Sequence, residues 1–131
     1  MSCMKPATRE WLLKAEKDYA AARMTLGGTR PSLADVVCFH CQQCVEKLLK
    51  ARLQEAGVPI PKLHNLDALL NLVLPVEPAW AAWRTALQLM AGYAVDYRYP
   101  GAGSAAPEAK QAFADTRRIR LAVRRSFGLK R

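Results

Sequence analysis

Valine and isoleucine, the residues that favour strands, supply only 10 of the 131 positions, against 39 for alanine and leucine. That shortage nearly excludes an all-β or parallel-sheet fold, because β-branched side chains suit pleated surfaces while alanine and leucine lose little freedom in a helix. No apolar run approaches the roughly 18 residues that a membrane span needs. Met1 to Glu10 lacks the apolar core of a signal peptide. The expected location is the cytoplasm, away from membranes, with the four cysteines reduced. Histidine is scarce too: His40 and His64 are the two present, and neither stands near a serine or aspartate at a spacing that implies a triad. A nucleophile elbow, a Walker loop and the dinucleotide-binding glycine pattern are all missing, which removes support from the hydrolase and dehydrogenase classes.

What is present reads as one soluble domain, 51% hydrophobic and 24% charged. All eight prolines fall between candidate helices or in their first turns, where the missing N–H does no harm. Five segments result. Thr8 to about Leu26 carries Trp11, Ala15, Tyr19, Ala22 and Leu26 on one stripe and stops at Gly27-Gly28. A long second segment opens near Pro31 and ends before Gly57, and a short third runs from the cap Asn65 to Pro75. The fourth, from about Pro78, turns Trp80, Trp83, Leu87 and Met90 inward and ends before Pro100. The fifth, from about Ala106 to Phe127, buries Ala109, Phe113, Thr116, Ile119 and Val123 and is expected to turn Lys110, Arg117 and Arg124 outward. The fold class is therefore all-α, an antiparallel up-and-down bundle of four long helices plus one short one, in a single domain with its core at about 8–127.

Charge is uneven along this bundle. Of the formal +9, the stretch Lys110 to Arg131 holds eight bases against one acid, Asp115, while the first 109 residues hold twelve against ten. A concentrated positive face attracts phosphate or carboxylate at long range, in a nucleic acid, a nucleotide or an acidic partner. In the second segment Cys38, Cys41 and Cys44 flank His40, ligand types that suit a soft metal. A mid-helix run fans such residues around the axis rather than onto one ion. Cys41 and Cys44 also lie on the apolar stripe Val37, Cys41, Cys44, Leu48, Ala51, so they read as core, and no metal or cofactor is implied. The polar residues Gln43, Glu46, Lys47 and Lys50 stand three and four apart, with Glu46 and Lys50 a favourable i, i+4 pair of a few tenths of a kcal/mol on an exposed flank. Asp96-Tyr97-Arg98-Tyr99-Pro100 sets an arginine between two tyrosines, where a planar guanidinium could hold a phosphate or stack on a base, or cap the helix end.

Taken together, Ala15-Glu16-Lys17-Asp18-Tyr19, the string Phe39 to Ala51 with Gln42-Gln43 and Glu46-Lys47, then His64-Asn65-Leu66, and finally Arg98-Tyr99-Pro100 resemble the HEPN family, small helical domains named for higher eukaryotes and prokaryotes nucleotide-binding. The resemblance spans nearly the whole chain. It implies a bundle of four to five helices, commonly a homodimer, often encoded with a minimal nucleotidyltransferase as a toxin–antitoxin-like pair. Many members resemble metal-independent ribonucleases whose motif is an arginine followed, after four to six residues, by histidine. Neither His40 nor His64 has an arginine so placed, and no histidine follows Arg98. The expectation is thus a binding module for a nucleotide, RNA or nucleotidyltransferase partner, engaged through Arg98, Tyr99, Asp96, His40, Gln43, Lys47 and Lys50. The alternative is a ribonuclease in which Arg98 holds the scissile phosphate and His40 or Tyr99 moves the proton.

Overall fold

Proline and glycine set the helix boundaries. The computed structural model describes residues 4–28, 33–97 and 106–130, without the side chains of 94–97. Helix α1 spans Pro6–Gly27, α2 Ala34–Ala56, α3 Leu66–Val73, α4 Arg84–Tyr97 and α5 Ala106–Ser126. Pro6 opens α1 from its first turn, two residues ahead of the expected start. Helix α2 ends on Gly57, whose φ of 73° is left-handed and whose N–H returns to the carbonyls of Gln54 and Leu53. The Asn65 side chain accepts the N–H of Ala68 at 3.1 Å and so caps α3. The fourth segment differs from expectation at its start. Pro78–Trp83 forms a 3-10 helix, and the α-helix begins only at Arg84. A three-residue turn aligns positions i and i+3, which stacks Trp80 on Trp83 with ring centres 4.6 Å apart.

No strand occurs among the described residues, and no described helix is long and apolar enough to cross a membrane. The chain is an all-α helical bundle. Helix α2 is its centre, packed against α1, α3, α4 and α5. Cross-contacts give the directions: Thr8 bonds Glu55 while Asp18 bonds His40 and Lys47, so α1 runs antiparallel to α2. Glu16 meets Arg124 while Tyr19 stacks on Phe113, so α1 is antiparallel to α5 as well.

The larger core gathers Leu48, Leu49 and Leu53 of α2 with Leu66, Leu69, Leu70 and Val73 of α3, Leu87 and Met90 of α4, and Ile119 and Val123 of α5. Each such side chain contributes about 2 kcal/mol by leaving water. A smaller cluster at the other end joins Val37, Cys38 and Cys41 to Ala22, Ala109 and Ala112. Cys41 and Cys44 are fully buried, as their stripe predicts. Burial pushes the Cys41 thiol from 9.0 up to about 12 and the Cys44 thiol well above its ordinary range.

Candidate functional site

Helix α2 packs against four other helices, and part of its polar side meets α1. There His40, Gln43 and Lys47, at steps of three and four, share one face. Helix α1 supplies what fixes them. Its buried stripe runs Thr8, Leu12, Ala15, Asp18, Ala22, and the aspartate occupies a position that the pattern otherwise gives to small or apolar groups. Asp18 Oδ1 lies 2.9 Å from His40 Nδ1, and Asp18 Oδ2 accepts from Lys47 Nζ. The carboxylate is 12% exposed, the imidazole 28% and the lysine 22%, so the acid sits underneath and its two partners reach the surface.

Deeper on the same helix, Gln42, Glu46 and Lys50 repeat at four-residue steps and are all buried. The Glu46–Lys50 pair is therefore not the exposed pair that polarity alone suggests. Lys50 Nζ donates to Glu46 Oε2 at 3.0 Å with side-chain exposures of only 6% and 4%. Glu46 Oε2 is also 2.9 Å from Nδ1 of His64, an exposed residue from the segment before α3. Gln42 Nε2 donates to Glu46 Oε1 and to the His64 carbonyl, both at 3.4 Å. Gln43 Nε2 in turn donates to Gln42 Oε1 at 2.9 Å, which joins the buried network to the surface row. Lys50 Nζ also stands 5.5 Å from the ring centre of Trp11. A buried ion pair of this kind needs such extra bonds, since the attraction between two charges barely offsets their removal from water.

The basic helix α5 is partly committed to structure. Arg120 grips Glu16 with a two-pronged fork at 2.9 Å on each side and lies 4.5 Å over the Tyr19 ring. Arg124, expected to point outward, instead reaches Glu16 at 3.4 Å and the Lys130 carbonyl at 3.0 Å. An arginine stem can lie along apolar surface and still deliver its head to a partner. Lys110, Arg117 and Arg125 remain exposed. Arg118 is exposed too, bonded to Asp115 at 3.2 Å.

The family model for the HEPN domain matches residues 8–126, nearly the full length. The chain belongs to the HEPN family. Among solved structures, the crystal structure of an archaeal HEPN homologue superposes with a TM-score of 0.71, at 24% identity, over 91% of this chain and 96% of that one. No curated protein matches. The HEPN bundle brings His40, Gln43 and Lys47 onto one surface and sets Lys50 one turn further along, buried beneath Trp11. Asp96 lies in the last turn of α4, and its side chain, like Arg98 and Tyr99, falls outside the described residues. Sequence reasoning placed Asp18, Gln42 and Glu46 in the strings that resemble the family, and Glu46 in an exposed ion pair, but named none of them as a site residue. Their available signal was a polar residue at an apolar stripe position of α1 and the four-step polar repeat of α2.

Proposed function

We propose that this HEPN domain is a nucleotide- or RNA-associated binding module, dimeric and acting with a minimal nucleotidyltransferase in a toxin–antitoxin-like pair. The observation that carries the reading is the α2 row, His40, Gln43 and Lys47, half-exposed and held in place by buried acids. A cation and hydrogen-bonding groups preset on a rigid helix are what recognition of a small phosphorylated ligand requires, because little side-chain freedom is left to lose on binding. In the proposal Arg98 and Tyr99 complete the site, the arginine by a two-pronged hold on phosphate. Calorimetric titration with nucleoside monophosphates and a short RNA tests it. Lys47→Ala and Arg98→Ala should each weaken binding about tenfold or more, in keeping with loss of a charge-assisted bond. Unchanged affinity in both variants overturns the site.

One observation favours a second reading. A histidine whose Nδ1 faces a carboxylate has the arrangement of a general base, so His40 could take the proton of an RNA 2′-hydroxyl. Cleavage of RNA in the presence of a chelator, lost in His40→Gln, would support that reading over the first.

A further inference from the structure

The hydrogen bonds below the row determine which atoms it shows to a ligand. A carboxylate only accepts, so the His40 nitrogen facing Asp18 carries the proton, and a neutral ring then turns the bare lone pair of Nε2 outward. Among the described residues Nε2 has no hydrogen-bond partner. The second half of the row is oriented from deeper still. Glu46 Oε1 and the His64 carbonyl are both acceptors, so the Gln42 amide turns its NH₂ toward them and its Oε1 toward Gln43. Gln43 answers by donating from Nε2. Its own Oε1 is left free to accept, with one remaining N–H.

We infer that Asp18 and Glu46 are positioning residues that make the α2 row a pair of acceptors beside one cation, and that its ligand is a ribonucleotide, offering hydroxyl or amino hydrogens next to a phosphate. This rests on the reading of the row as a nucleotide site. A bare phosphate fits less well: most of its oxygens only accept, it has one or two P–OH hydrogens at most to set against His40 Nε2 and Gln43 Oε1, and Asp18 already offsets part of the Lys47 charge. A ribose hydroxyl donates to such acceptors, and it is the group that distinguishes RNA from DNA. An exocyclic base amino group offers the same chemistry.

Imidazole nitrogen resonances of the isotope-labelled protein, recorded well above the ordinary histidine range, read the tautomer directly. His40 is told from His64 by the loss of one set of signals in His64→Gln. The expected result is His40 protonated at Nδ1. In Asp18→Asn the carbonyl stays with the Lys47 ammonium and the new NH₂ faces Nδ1, so the proton should move to Nε2. Binding is measured in parallel with AMP, 2′-deoxy-AMP, IMP and inorganic phosphate. AMP should bind about three- to tenfold more tightly than 2′-deoxy-AMP where the ribose is the donor, or than IMP where the base amino group is. Inorganic phosphate should not bind measurably, and Asp18→Asn should erase the preference. Wild-type His40 protonated at Nε2 overturns the positioning role. Equal affinity for AMP, 2′-deoxy-AMP and IMP overturns the acceptor assignment while leaving the nucleotide site standing. Failure of every nucleotide to bind, with the tautomer as expected, overturns the site and the ligand assignment together and leaves Asp18 a structural partner of His40.

Discussion

Replacing Lys50 by methionine isolates the buried ion pair at the centre of α2. The thioether chain has similar volume and little steric cost, so the main change is that Glu46 loses its cation. Both side chains are almost fully removed from water. Removing one partner of such a pair costs about 3–5 kcal/mol, and His64 and Gln42 still bond Glu46, which places the expected loss near the lower end, about 3 kcal/mol. At roughly 4 °C per kcal/mol for a chain of this size, the thermal midpoint should fall by about 12 °C. The double variant Glu46→Gln with Lys50→Met removes both charges and should return to within about 1 kcal/mol of the parent. Urea unfolding at constant slope, with the thermal scan, closes the cycle. A loss below about 1 kcal/mol in Lys50→Met would refute the argument, because it is what a solvated pair gives. Losses that simply add in the double variant would refute the coupling.

Cys41→Ala and Cys44→Ala should keep the fold and cost about 1 kcal/mol each, read by urea unfolding, since alanine nearly fills the same small buried volume. Cys41 ionises at about 12 in the folded chain and near 9.0 in the open one; the unfolded thiol loses its proton first, so stability from this group is full below pH 9 and falls as pH climbs from there toward 12, a slope that Cys41→Ala should reduce. Asn65→Ala removes the α3 cap and should cost about 1 kcal/mol, checked by thermal unfolding. Glu16→Gln loosens the Arg120 and Arg124 anchorage between α1 and α5; partial exposure limits the cost to about 1 kcal/mol. RNA affinity that draws on the exposed Lys110, Arg117 and Arg125 should fall steeply between low and high salt as counterions are released, and a flat titration would show that this face takes no part.

The helices were legible because their evidence is local. Alanine-leucine stripes of period 3.6, prolines at the openings and Gly57 at a close are all read within a few residues of where they act. The start of the fourth segment was less legible, because the spacing of Trp80 and Trp83 suits either a 3-10 or an α-turn. The interior of the site was not legible. Glu46 and Lys50 look like a surface pair because polarity alone puts charges outside, and what permits their burial comes from elsewhere, His64 from eighteen residues on and Trp11 from another helix. Asp18 and His40 are twenty-two residues apart, and their bond exists only because α1 and α2 pack antiparallel in one register. Arg124 shows the same limit in reverse: its basic character predicts solvent, yet Glu16, more than a hundred residues earlier, draws it in.

The central claim is that the ligand of this HEPN domain lies along the α2 row. The most direct test is a titration of the isotope-labelled protein with AMP, followed by nuclear magnetic resonance at every amide and at the His40, Gln43 and Lys47 side chains. The account predicts that these three positions and Asp18 beneath them shift together and saturate at a single Kd, while α3 stays still. Shifts confined to the basic face of α5, at Arg117 and Arg125, with His40, Gln43 and Lys47 unmoved, would contradict it.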